Sequence, residues 1–282
     1  MAPRMRCTRP AFTLVELLVV IAVVAILIGV LLPALSSARR SAQSVASAAN
    51  IRQIGAATLL YLNEHRDHLP QMRIDPAGNP VRAPEGNNIG TLFAGKFGTL
   101  PFYGLTTIGP ERRPLNPYIW DGPLPSDDTP EARDFELEIF RDPTDAGFND
   151  PFLTAQGFDT SSLYDLLGIS YALNDHALDD SPGDEPYDTL IPKPGGRMPR
   201  IADPTLTWLV GTQPIYNYDS GSDRDMRWGG RSVTATLFYA DGHARSGVPV
   251  AKGIIDTTND YTFLPNPDWM LHRFGIDPES RR

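Results

Sequence analysis

The sequence predicts an α+β protein: a long N-terminal α-helix, apolar enough in its first part to be transmembrane, packed on a small antiparallel β-sheet with long loops. Three features predict it. Residues 12–35 (FTLVELLVVIAVVAILIGVLLPAL) are almost wholly apolar. Residues 36–63 are rich in Ala, with apolar positions recurring at three- and four-residue spacing. Residues 168–247 contain short runs of β-branched and aromatic residues, the composition of strands.

The run over 12–35 is about 24 residues long, and about 20 suffice for a helix to cross the hydrocarbon core of a bilayer. One charge stands inside it, Glu16. A carboxylate in lipid costs about 3 kcal/mol or more, so Glu16 reads either as an acid that needs a partner or as one kept wet near the interface of a signal anchor. Arg4, Arg6 and Arg9 precede the run and no acid does. The positive-inside rule therefore holds residues 1–11 in the cytoplasm and sends the C-terminal bulk across the membrane, with Arg39 and Arg40 arguing mildly the other way. A secretory signal peptide is the competing reading, but its apolar core is about 7–15 residues long. Ala34-Leu35-Ser36 is only a weak cleavage site for it.

MAPRMRCTRPA followed by FTLVE resembles the signal of type IV prepilins and type II secretion pseudopilins. The resemblance implies that residues 1–11 are a leader removed by a prepilin peptidase between Ala11 and Phe12, and that the new N-terminal Phe12 is methylated. It implies that Glu16 compensates the N-terminal amine of a neighbouring subunit, and that Pro33 is the helix-loosening proline. The family usually carries Gly before the cut, where this chain has Ala11. Implied partners are copies of the chain itself, other pseudopilins, the peptidase and the membrane. The implied location is the inner membrane, single-pass, with the C-terminal domain in the periplasm or at the cell surface.

At 282 residues the chain has room for the anchor and a head over 64–282 large enough to bury a core. The formal charge is −9, about −12 once the three leader arginines are gone, which excludes nucleic acid as a partner. The sole cysteine, Cys7, lies in the leader, so packing or ions must hold the exported domain in place of disulfides.

Residues 36–63 continue the helix, with Ala38, Ala42, Val45, Ala49, Ile54, Ala57 and Tyr61 as its buried stripe. From residue 12 to 63 the helix is on the order of 75 Å long at 1.5 Å per residue. NIRQIG over 50–55, with Tyr61 and Asn63, resembles a sequence of planctomycete-type pseudopilin-like proteins. Those relatives often carry a Cys where Ala48 and Ala49 stand.

Between 68 and 168, prolines at 70, 76, 80, 84, 101, 110, 114 and 117 break every candidate helix, except for a short helical or irregular piece over 130–140. The acids of that piece read as a solvated face. Tyr118, Trp120, Phe135 and Phe140 read as core before they read as a ligand platform. Arg141-Asp142-Pro143-Thr144-Asp145 resembles the CPSD segment of the same relatives without its Cys.

Strands are expected at 168–174, 207–211 and 233–240, with an acidic, Pro- and Gly-rich loop over 175–199. Asp241-Gly242-His243 is a tight-turn sequence. LFYADGHA resembles the end of the H-x9-DG motif, whose first His would fall at Arg231. Asp241 and His243 suit acid–base work or metal ligation, but no nucleophile or third ligand stands at a telling spacing, and a turn role for Asp241 is simpler. Asp219, Asp223 and Asp225 stand at near-alternate positions as in calcium loops, without the bidentate Glu of an EF-hand, and a solvated polar turn is the simpler reading. Type II secretion pseudopilins do use calcium in a C-terminal loop.

Together these readings lead to a non-enzymatic, pseudopilin-like subunit that assembles through its N-terminal helix into a fibre for secretion or attachment. The rival is a membrane-tethered surface module whose head captures a glycan or other ligand.

Overall fold

Helix α1, Leu14–Glu64, runs unbroken for 51 residues. The computed structural model describes residues 14–175, 189–192, 195–218, 222–253 and 257–266. The Ala11–Phe12 junction, Asp219 and most of the expected 175–199 loop lie outside the described residues. The chain forms two compact units, Met1–Ala42 and Gln43–Arg282.

In the first unit every described residue is helical and exposed on all sides. Leu, Val, Ile and Ala carry no polar group that competes with the backbone, so the 3.6-residue ladder is their default in an apolar medium. Pro33 sits within it and removes one backbone donor. Its carbonyl accepts from Ser36 Oγ at 2.9 Å.

In the second unit the rest of α1 buries Ser47, Ile51, Ile54, Gly55, Ala57, Thr58 and Leu62. The expected stripe is therefore corrected. Ala38, Ala42, Val45 and Ala49 are exposed, and only Ile54 and Ala57 of that set are buried. The buried face joins the apolar Ile51, Ile54, Ala57 and Leu62 to positions chosen by polar partners and by close approach. Ser47 bonds Asp142, Thr58 returns its hydroxyl to Ile54 O at 2.9 Å, and Gly55 lies against Phe238.

The main sheet has four antiparallel strands in the order β4-β5-β6-β7: Tyr171–Leu173, Trp208–Thr212, Thr234–Tyr239 and Ala244–Pro249. Ala172 stands opposite Gly211, Gly211 opposite Leu237, and Ala235 opposite Val248. The three expected strands are present, and β7 adds an edge that the sequence did not announce. Strand β6 is buried on both faces. Phe238 packs in the core formed with Ile51 and Ile54 of α1, whereas Leu237 and Tyr239 pack with Trp208, Ile215, Tyr261 and Phe263. The sheet is thus the middle of three layers, with α1 on one side and a C-terminal cover on the other.

Residues 64–168 are less formless than their prolines suggest. Strands β1 (Arg73–Ile74), β2 (Pro80–Val81) and β3 (Asn87–Asn88) form a small sheet in the order β2-β1-β3. Two single-turn helices follow, each with a side-chain cap: Asp150 caps α2 (Pro151–Ala155) and Ser162 caps α3 (Leu163–Leu167). The piece expected over 130–140 is two separate 3-10 turns, Pro130–Ala132 and Glu138–Phe140. Its acids are exposed but not all idle, since Glu136 pairs with Lys96 at 2.6 Å. Phe140 is fully buried, Tyr118 and Phe135 are half-buried against the core, and Trp120 stays 42% exposed with its edge on Phe135.

Candidate functional site

Glu16 lies in the first turn of α1, where the helix dipole favours a negative charge. Residues 14–35 around it expose Leu, Val and Ile to every side, with Leu14 at 77% and Leu35 at 67%. An 18-residue window of this helix is long and apolar enough to cross a membrane, and none of it is buried within the protein. Isolated apolar side chains on a surface are ordinary. A complete cylinder of them requires lipid or other helices as its solvent.

Residues 8–32 match the family described as the prokaryotic N-terminal methylation motif. This chain carries the prepilin-type N-terminal signal. The matched stretch includes Ala11, Phe12 and Glu16 and ends one residue before Pro33. No curated protein and no solved structure matches the chain. Signal and apolar helix together describe a membrane-anchored protein with the α+β layout of pilin-like subunits.

The signal-bearing helix and the head's candidate residues belong to different units. In the head, Asp241, Gly242 and His243 make the β6–β7 turn. Asp241 Oδ1 lies 2.5 Å from His243 Nδ1 and also accepts the His243 backbone N–H at 3.1 Å. Partial burial pushes the Asp241 carboxyl up, but these bonds outweigh it and hold the group below its ordinary value. Gly242 adopts φ +93°, a conformation that costs glycine little. The imidazole stacks on Tyr239, with ring centroids 4.2 Å apart. The Asp241–His243 bonds and the Gly242 conformation hold the turn together. Arg231, at the place of the motif's first His, is exposed in the loop before β6.

The aspartate loop is likewise internally occupied. Asp223 accepts from Asn217 Nδ2 at 3.0 Å and from the Asp225 N–H at 3.0 Å, and pairs with Arg227 at 3.1 Å. Asp225 also pairs with Arg227. A calcium ion held by Asp223 and Asp225 would have to displace that guanidinium. Among the described residues there is no group of three or more His, Cys, Asp or Glu arranged to hold a metal.

Sequence reasoning missed the polar residues that hold the cysteine-free head together. Asp142 is 2% exposed and joins α1 to the loop core: it accepts from Ser47 Oγ at 2.5 Å and from the Thr144 N–H at 2.7 Å. Gln43 and Asn50 flank the joint by donating to Pro143 O and Arg141 O. Burial pushes the Asp142 carboxyl above its ordinary range, only partly countered by the Ser47 and Thr144 bonds. Asp145 accepts from the N–H groups of Leu163 and Tyr164 and from Ser170 Oγ, tying α3 to the start of β4. Arg113 is fully buried and donates to Thr91 O, Ala94 O and Leu167 O at 3.2, 2.6 and 3.2 Å. Burial lowers its pKa to about 9, which leaves it charged at neutral pH. The one signal for this in the sequence was the absence of disulfides, which left three loop segments to be joined by other means.

Proposed function

We propose that the chain is a pseudopilin-like structural subunit. A prepilin peptidase removes residues 1–11 on the cytoplasmic side, Phe12 becomes the methylated N-terminus, and Glu16 compensates the N-terminal amine of a neighbouring copy. The head over 64–282 then lies in the periplasm or at the cell surface, and subunits pack helix to helix into a pseudopilus-like fibre. Its role is mechanical rather than catalytic.

The observation that carries this reading is the continuity of two features. The methylation motif over 8–32 runs directly into a helix whose residues 14–35 are exposed on every side. A lone tether needs only apolar length. The Glu16 carboxylate near the start of that length lies within the matched motif, which supports a role in assembly beyond membrane anchoring.

The test is the N-terminus of the protein extracted from its native membrane, read by intact and peptide mass spectrometry. A chain beginning at N-methylated Phe12 supports the proposal. A chain that retains Met1 and the three leader arginines overturns it, because Ala11 would then have blocked the cut.

A further inference from the structure

The apolar length of α1 ends in a polar collar. Residues 36–44 read Ser-Ser-Ala-Arg-Arg-Ser-Ala-Gln-Ser, and Ser36 to Ala42 are all helical and exposed within the first unit. Arg39 and Arg40 are the only charged residues between Glu16 and Arg52. No acid stands on α1 between Glu16 and Glu64, so no carboxylate lies within one turn of the pair and the helix itself does not neutralise it.

The spacing of these charges matches a bilayer. From Glu16 to Arg39 the unbroken helix rises about 35 Å at 1.5 Å per residue. A hydrocarbon core is about 30 Å thick, and about 40–45 Å with both headgroup regions. A span with Glu16 at one boundary therefore puts Arg39 and Arg40 in the opposite headgroup layer, at the depth of the lipid phosphates. Helical Cα–Cβ bonds tilt toward the N-terminus, so both side chains lean back toward the bilayer rather than away from it. Successive positions stand about 100° apart around the axis, so the two guanidinium groups reach separate headgroups.

The partner follows from that placement. The apolar cylinder that requires lipid leads directly into the arginines, so lipid is already beside them. Guanidinium donates two parallel hydrogen bonds to phosphate oxygens. A lipid of net negative charge offers its phosphate with no ammonium group competing for it, and attracts basic residues next to a span. The chain as a whole carries −9, so on the head side of the span this pair is what offsets repulsion from an anionic leaflet. We propose that Arg39 and Arg40 form a collar that binds anionic phospholipid headgroups and fixes the depth of the anchor. The proposal rests on membrane anchorage alone and holds whether or not the subunit enters a fibre.

The experiment is native mass spectrometry of the full chain released from dodecyl maltoside, titrated with dioleoylphosphatidylglycerol, dioleoylphosphatidylcholine and inorganic phosphate. Phosphatidylglycerol should bind at least fivefold tighter than phosphatidylcholine, and an equal concentration of phosphate should not displace it. Arg39→Gln/Arg40→Gln should weaken phosphatidylglycerol at least fivefold, leave phosphatidylcholine unchanged and keep the unfolding temperature of the head. Arg52→Gln, at the next exposed arginine along α1, should change neither lipid. Equal affinity for the two lipids overturns the proposal, as do undiminished binding by the double variant and an equal loss in Arg52→Gln. Displacement by phosphate reduces the pair to a general anion site, and arginine-dependent dimers in place of lipid adducts assign it to a second copy; either result also overturns it. Carbonate extraction of native membranes is read alongside. A parent chain that is washed out removes the anchor itself, whereas one that stays but shows no lipid preference removes only the collar.

Discussion

The ring of Phe238 occupies the space where a side chain on Gly55 would begin: a β-carbon built on Gly55 overlaps the ring's Cγ and both Cδ atoms. Helix α1 and strand β6 meet at backbone-to-ring contact because residue 55 has no side chain. Ala at this position gains about 1 kcal/mol of helix propensity. It must also displace a ring that is 3% exposed, and overpacking a core costs about 1–3 kcal/mol. Displacement should win, so Gly55→Ala lowers the thermal stability of the detergent-solubilised chain. Phe238→Leu in the same background should recover part of the loss. Additive effects of the two changes in a double-mutant cycle would contradict the contact.

Asp142 provides a pH test of the α1 joint. Its carboxyl titrates above the ordinary value in the folded protein because it is buried. The folded state thus holds this proton more tightly than the unfolded chain does. The resulting stabilisation is full below the unfolded pKa and is lost as pH rises through the raised folded value. Asp142→Asn cannot ionise, so its stability relative to the parent should improve steadily across that rise. Asp142→Ala leaves the Ser47 and Thr144 donors unmet and should cost about 2–3 kcal/mol. Chemical denaturation at a series of pH values measures both.

Arg113 donates to the carbonyls of Thr91, Ala94, Ile108 and Leu167 with one planar group. Arg113→Met removes the buried charge but orphans those carbonyls, so a loss of about 3–5 kcal/mol is expected. Arg113→Lys keeps the charge and loses the fork, and should fall between Met and the parent. Thermal unfolding ranks the three.

Glu16 separates assembly from tethering. Glu16→Ala should leave the protein in the membrane fraction, because the apolar helix is intact, and abolish cross-linked higher-order species. Normal assembly by the variant would remove charge compensation from the mechanism.

Calcium, if it uses the 219–225 loop, competes with Arg227 for Asp223 and Asp225. Arg227→Ala should therefore raise the unfolding temperature gained on adding calcium above that of the parent chain. An identical gain in both would place the ion elsewhere.

The local features were legible in the sequence. The helix from residue 12 to 63 was set by an apolar run followed by 3.6-residue periodicity, and the structure ends it at Glu64. Strand β6 was set by Thr, Leu, Phe and Tyr in succession, and its turn by Asp241-Gly242-His243. The N-terminal signal needs no fold to be legible, since it is a linear motif over residues 8–32. Each of these depends on neighbours within a few residues.

Only the tertiary structure decided which face of α1 is buried, because that choice depends on residues about a hundred or more positions away. Ser47 faces inward because Asp142 lies 95 residues on, and Gly55 because Phe238 fills the space it leaves. Hydropathy favoured Val45, which is 70% exposed, since no pattern along the helix records the polar groups and the ring that it meets. The same holds for Arg113. A buried charge is tolerable only where distant carbonyls converge on it.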